Sequence, residues 1–336
     1  MDRDKTVSTA RMTSRMLLGM MMIAAAVLKL MSIDLFEIYI YSFNIFSYAF
    51  SAVIARMVIA AEILLGSGLT LKIFYRQTWR LTMLMMTGFT LFLGYVIIFR
   101  SDDNCHCFGD LISLNPSESI YKNIISIFIL LFVRRESDHA YKPVTRRWLT
   151  GISIAAAVIT PFAAFPTDSL YNRLFSKSDE IDTVEFENVL DDRKSLKLLR
   201  FESHGDSTAV VRDTIAAPDL SDGRHIVSFI SAGCGFCKTG AKKLAAMVEK
   251  NGIDPSLIKV FAWGYDADIV EFMRETNTAG HGYWFIDPLK SLDITHGRFP
   301  VFVWVDGGEI VGSGDMRDLD EDRIRDFLKQ RHNPGH

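Results

Sequence analysis

The sequence predicts a membrane-embedded all-α helical bundle followed by an α/β domain, and three observations predict it. The first is a split in composition. Of 336 residues 49% are apolar and mean hydropathy is +0.16, yet the long apolar stretches and eleven of the fourteen methionines lie toward the N-terminus. The second is Cys234-Gly235-Phe236-Cys237, set between a β-branched apolar run and an amphipathic helical pattern. The third is a proline-started apolar strand, Pro300 to Val305, that ends in Asp306-Gly307-Gly308.

Apolar stretches occur at about Met16–Met31, Ala49–Leu71, Leu81–Phe99, Ile120–Val133 and Leu149–Phe165. A helix needs about 20 residues to cross the hydrocarbon core. The second and third are long enough, and the other three draw on flanking residues, as Ser117 to Arg134 does. This gives a four-helix transmembrane domain over residues 1–135, then a loop and fifth span over 136–166.

Positive residues are retained on the cytoplasmic side, so charge fixes the expected orientation. Arg3, Lys5, Arg11 and Arg15 precede the first span; Lys72, Arg76 and Arg80 follow the second; Arg134, Arg135, Lys142, Arg146 and Arg147 follow the fourth. The alternate loops carry Asp34 and Glu37, or Asp102, Asp103 and Asp110. Five spans that start inside put Asp102–Pro116 and everything after Pro166 outside. The expected location is a bacterial inner membrane, multi-pass, with a cytoplasmic N-terminus and a periplasmic C-terminal domain. A basic start and short apolar core also fit a cleaved signal peptide, but no small-residue cleavage site follows the core and the charge alternation needs this span.

Charges inside spans are costly and often functional. Glu62 falls near the midplane of the second span, Arg56 lies six residues earlier, and Lys29 is near the outer end of the first. These three form an expected intramembrane polar site, serving a head group or proton movement. The plainer alternative is helix packing, with Lys29 reaching outward and Glu62 neutral or paired.

The four cysteines form two close pairs, Cys105/Cys107 and Cys234/Cys237. Arg224 to Ile230 reads as a buried strand, and from Cys237 the apolar stripe Ala241, Leu244, Ala245 and Val248 reads as a helix. Cys234 thus sits where a helix begins, where unpaired N–H groups, the helix dipole and nearby Lys238 favour a thiolate. Cys234 is the expected nucleophile and Cys237 the resolving thiol. A structural zinc site would need four ligands, and the C-terminal half supplies scattered histidines such as His204, His225, His281 and His296, so no metal site is expected. The Cys105/Cys107 pair can close a small ring, stay as free thiols or bind metal; the oxidising compartment and a second dithiol favour redox activity.

With its strand, Cys-x-x-Cys, helix, strand at Leu257 to Trp263, helix, proline hairpin and final helix, the region from about Asp222 to Gln330 resembles the thioredoxin-like superfamily. The resemblance implies a cis proline at Pro300 beside the cysteines, with Phe299 presenting its backbone to a bound substrate chain. Gly233 and the Gly235-Phe236 dipeptide depart from common thioredoxins, which leaves the direction of electron flow open.

Leu17-Leu18-Gly19, Leu28-Lys29-Leu30, Ala61-Glu62-Ile63-Leu64-Leu65-Gly66 and Cys105-His106-Cys107-Phe108-Gly109-Asp110 resemble the DoxX-like and MauE families over about residues 15–135. That resemblance implies disulfide formation or thiol maintenance in exported proteins, alongside a thioredoxin-like partner. In architecture alone the chain is similar to vitamin K epoxide reductase fusions, which makes a quinone a candidate electron carrier although no motif requires a cofactor.

Residues 167–221, with Thr183-Val184-Glu185-Phe186 and Ala209-Val210-Val211, are expected to lead by strands into the thioredoxin-like domain at 222–336. A net charge of −3 and no basic stripe in the C-terminal half argue against nucleic-acid binding. The expected function is membrane-bound thiol–disulfide exchange with exported cysteine-containing proteins, using both pairs at the bilayer surface. The alternative is a non-enzymatic chaperone or a module that handles copper or zinc through methionines and cysteines.

Overall fold

The computed structural model describes residues 2–100, 109, 114–136, 141–175, 181–192, 195–204, 207–215 and 217–329. These fall into two compact units, one of Met1–Ile40 with Ala49–Thr167 and one of Tyr41–Tyr48 with Asp168–His336.

The first unit is helical: α1 (Asp2–Met31), α2 (Ile33–Tyr41), α3 (Tyr48–Leu71), α4 (Tyr75–Phe99), α5 (Pro116–Val133) and α6 (Pro143–Ile159), the last extended by a π turn at Thr160–Ala164. Five helices among the described residues are long and apolar enough to cross a membrane, all except α2. The chain is a multi-pass membrane protein. Between lipid-soluble helices, close backbone approach replaces the hydrophobic effect as the source of association. Gly19 and Gly66 supply it: a Cβ on Gly19 would stand 2.7 Å from the Gly66 carbonyl oxygen, and one on Gly66 would stand 2.8 Å from that of Gly19. Around this crossing Leu18 and Met22 of α1, Leu65 and Leu69 of α3, Met86 of α4 and Leu130 of α5 form one core. Asn115 and Glu118 close a reciprocal capping box at the start of α5, satisfying two otherwise orphaned N–H groups.

The second unit continues with α7 (Asp168–Phe175), α8 (Thr183–Asp191), β1 (Leu196–His204), β2 (Ser207–Ile215), β3 (Arg224–Ser231), α9 (Gly235–Lys250), β4 (Ile258–Trp263), α10 (Asp266–Thr276), β5 (Gly282–Ile286), α11 (Pro288–Thr295), β6 (Val301–Asp306), β7 (Glu309–Gly314) and α12 (Glu321–Lys329). The strands make one sheet in the order β2-β1-β5-β4-β3-β6-β7. β3, β4 and β5 are parallel, while β6 and β7 run antiparallel beyond β3. Parallel strands joined through helices, then an antiparallel hairpin started by a cis Phe299–Pro300 bond, make a thioredoxin-like fold. Its core includes a chain of edge-to-face rings, Phe186, Phe229, Phe261 and Trp284, with centroids 5.9, 5.3 and 6.2 Å apart.

The expectation of strands at 167–221 is corrected in part. Thr183-Val184-Glu185-Phe186 opens helix α8, because the Asp182 carboxylate accepts from the Glu185 N–H at 2.9 Å and caps it. Ala209-Val210-Val211 does lie in a strand, and the β1–β2 hairpin adds two strands to the thioredoxin-like sheet through β5. Within the same unit, Glu321 accepts from the Tyr48 N–H at 2.9 Å and Lys250 donates to the Phe46 carbonyl at 2.5 Å.

Helix α9 lies close on the proline hairpin because residue 240 has no side chain. A Cβ there would meet Pro300 Cγ at 3.0 Å, Phe302 Cζ at 3.1 Å and Met316 Cβ at 3.2 Å. Gly240→Leu is therefore expected to destabilise the second unit by about 1–3 kcal/mol, the usual cost of overpacking. Denaturant unfolding of the full chain, followed by tryptophan fluorescence, measures this, and an unchanged midpoint would contradict it.

Candidate active site

β3 ends at Ser231 and α9 begins at Gly235, so the Cys-x-x-Cys segment occupies the carboxyl end of a central parallel strand, the usual ligand side of an open α/β sheet. Cys234 is the N-cap of α9, with extended backbone (φ −86°, ψ 121°), its N–H bonded to the Ser231 carbonyl at 3.0 Å. The first-turn N–H groups of α9 have no partner within the helix, and their positive end favours an anion at this position.

The two thiols are free and unequally placed. Cys234 is partly exposed, whereas Cys237 is fully buried and its Sγ accepts from the Ser231 N–H at 3.4 Å. Burial, more than the proximity of Cys234, pushes the Cys237 thiol well up. At neutral pH Cys237 therefore stays protonated, and Cys234 is the sulfur an incoming partner meets.

Phe299 and Cys234 both pack against the apolar cluster that contains Cys237, and Phe299 stacks edge-to-face on Trp263 with centroids 5.9 Å apart. Pro300 is buried, and its ring lies against α9 at Gly240. The structure thus brings Cys234, Cys237, Phe299 and Pro300 to one place. Two aromatic residues are exposed in this region: Phe236, between the cysteines, at 68%, and Tyr265, not singled out from sequence, at 82%. Tyr265 follows Gly264, whose left-handed backbone (φ +147°) rests against Ala232, just before the cysteines. Bulky apolar groups left in water at α/β loop tips are the available signal for them.

Lys238 differs from its expected role. Its ammonium pairs with Glu275 of α10 at 2.8 Å, and that bond raises its pKa while lowering that of Glu275. Its charge is engaged across the helix pair instead of being directed at Cys234.

In the membrane unit the three polar residues expected inside the spans fall into two separate pairs. Lys29 Nζ donates to both carboxylate oxygens of Glu62, at 2.6 and 2.8 Å, with both side chains buried. Lys29 thus turns inward to Glu62 instead of reaching outward. Arg56 pairs not with Glu62 but with Glu37 of α2, and it also donates to the carbonyls of Ala52 and Phe165. Glu37, read as a loop marker, is buried in a helix because Arg56 compensates its charge. The Arg56–Phe165 bond ties the end of the fifth span to the α2 end of the bundle. Gly109, with φ +68°, approaches that same end: a Cβ on it would stand 2.4 Å from the Leu28 carbonyl oxygen and 2.6 Å from Ser32 Oγ. Cys105 and Cys107 themselves lie outside the described residues.

Residues 7–134 match the family model of methylamine utilisation protein MauE. Protein TlpB of Flavobacterium psychrophilum is 25% identical over 295 residues, covering 79% of each chain. Among solved structures, a secreted Mycobacterium tuberculosis disulfide oxidoreductase homologous to E. coli DsbE is 14% identical, with a TM-score of 0.27 over 32% of this chain and 82% of its own. The thioredoxin domain of a Bacteroides vulgatus thiol-disulfide oxidoreductase is 15% identical, with a TM-score of 0.28 over 40% of this chain and 94% of its own.

Two outcomes test this geometry. At neutral pH, iodoacetamide should modify Cys234 at least about tenfold faster than Cys237, since thiolate fraction and access set the rate. Peptide mapping reads the ratio, and equal rates would contradict the placement. Lys29→Met should cost about 3 kcal/mol or more by stranding a buried carboxylate, while Lys29→Met/Glu62→Leu recovers most of it. Thermal unfolding in detergent compares them, and equal losses would refute a compensating pair. The chain joins a MauE-like membrane region to a thioredoxin-like domain.

Proposed function

We propose that this protein is a membrane-bound thiol–disulfide oxidoreductase of the bacterial cell envelope, acting on exported cysteine-containing proteins. The observation that carries the proposal is the unequal dithiol: an accessible Cys234 at a helix N-terminus over a buried, protonated Cys237, beside cis-Pro300.

The chemistry follows from that asymmetry. In the reducing direction the Cys234 thiolate attacks a client disulfide, forming a Cys234–client bond and expelling one client thiolate. Cys237 then loses its proton, attacks Cys234 Sγ, and releases the second client thiolate as the internal disulfide closes. The oxidising direction is the same path reversed: a client thiolate attacks the Cys234–Cys237 disulfide, and a second client thiol resolves the adduct. The partners' potentials set the direction. The edge of the hairpin at Phe299, with Phe236 and Tyr265 exposed nearby, supplies backbone and apolar contact for an extended client segment.

The second dithiol, Cys105/Cys107, exchanges with the first. One disulfide and two thiols on one side become two thiols and one disulfide on the other, so the step balances without another reactant. Gly109 and Phe165 both lie toward one end of the helical unit, which supports this reading. In the orientation set by positive residues, that side is periplasmic and the membrane is the inner one. A quinone is the membrane carrier proposed to complete the electron path, while Lys29 with Glu62 and Arg56 with Glu37 are engaged in ion pairs.

Cys237→Ser should accumulate mixed disulfides between Cys234 and envelope proteins, visible as adducts that collapse on reduction. Adding Cys105→Ser or Cys107→Ser should trap Cys234 on the remaining loop cysteine. Client adducts without the internal one would leave the exchange activity standing and refute the relay. Neither adduct in native membranes would refute both.

A further inference from the structure

At the opposite end of the helical unit, α3 and α4 are joined by a tight turn in which Lys72 and Phe74 take left-handed backbone, φ 58° and 44°. The turn directs the first residues of α4 onto the end of α5. Tyr75 Oη donates to the Val133 carbonyl at 2.6 Å, and Trp79 Nε1 donates to that of Leu130 at 2.8 Å. These two bonds hold a cleft of about 160 Å³ lined by Tyr75, Trp79 and three arginines, Arg76, Arg80 and Arg134. Arg76 and Arg80 share a face of α4, being four residues apart, and the Arg134 guanidinium stacks over Trp79 at 5.6 Å.

No carboxylate among the described residues pairs with any of the three. α4 contains neither Asp nor Glu, and the single acid of α5, Glu118, is consumed at its far end by the capping box. Glu136, two residues beyond Arg134, is already shared by Arg15 at 3.0 Å and Lys72 at 3.1 Å. The cleft therefore gathers three positive charges at a span end with no carboxylate among the described residues paired to them. Toward the bilayer, the helices continue in exposed apolar side chains, Leu81 and Leu84 on α4, Phe128 and Leu131 on α5.

We infer that this cleft binds the headgroup of an anionic phospholipid. Its phosphate lies among Arg76, Arg80 and Arg134, and its acyl chains follow the apolar ridge beyond them. A basic pocket between transmembrane helices at their positively charged end suits such a headgroup, and the tryptophan and tyrosine occupy the interfacial layer where aromatic residues are favoured. The apolar continuation selects a lipid over a free anion, which would gain nothing from it.

Native mass spectrometry of the full-length protein, released from detergent with phosphatidylglycerol or phosphatidylcholine, tests this. The wild type should retain phosphatidylglycerol in preference. Each arginine changed to glutamine should weaken retention roughly fivefold, so that Arg76→Gln/Arg80→Gln/Arg134→Gln loses the preference, while Lys142→Gln/Arg147→Gln, which removes two charges outside the cleft, keeps it. If the triple variant does not fold, Arg80→Gln alone decides by its fivefold step. Equal retention of the two lipids by the wild type, or an unchanged preference in the cleft variants, would overturn the proposal. Displacement of phosphatidylglycerol by millimolar inorganic phosphate would overturn it in favour of a free-anion site.

Discussion

The close seating of α9 on the proline hairpin is the constraint on which the candidate site depends. Gly240 leaves room for Pro300 and Phe302 against the helix, and this approach carries Cys237 under the surface while its neighbour three residues back stays at the rim. Two sulfurs in one short segment thereby acquire different chemistry. Burial keeps the inner thiol protonated; position at the helix N-terminus keeps the outer one available. A side chain at position 240 would push the hairpin away and loosen both relations together.

The membrane unit meets a different constraint, the cost of charge away from water. It answers by pairing buried charges internally, as Lys29 with Glu62 and Arg56 with Glu37, and it uses the second pair to fasten three segments. Arg56 serves α2, its own helix and the end of the fifth span at once. Such a pair adds little net stability compared with apolar packing but penalises any arrangement that separates its members. It therefore specifies where the fifth span ends, which is what the proposed exchange between the two dithiols requires.

Much of this was legible in the sequence wherever the signal was local. A change from strand to helical periodicity located Cys234 at a helix start, Pro300 and Gly307-Gly308 marked the hairpin, and length with hydropathy marked the spans. Gly19 and Gly66, quoted as part of a family pattern, turn out to be the contact that lets α1 and α3 cross. What escaped depends on partners distant in the chain. Glu37 resembled a loop acid because its compensating charge comes from another helix, and Lys238 resembled a free cation because Glu275 lies 37 residues away. Thr183 to Phe186 alternated like a strand, and the cap from Asp182 overrode that pattern. The carbonyl of Phe165 carries no side-chain signature at all.

If the two dithiols exchange electrons, the resting redox state of Cys234/Cys237 in native membranes depends on Cys105/Cys107. Acid quenching followed by thiol alkylation reads that state in the otherwise wild-type chain and in Cys105→Ser/Cys107→Ser. Removing the loop pair should shift the fraction of oxidised Cys234/Cys237 at equal protein levels. An unchanged fraction would show that the thioredoxin-like domain takes its electrons from elsewhere, and would contradict the exchange.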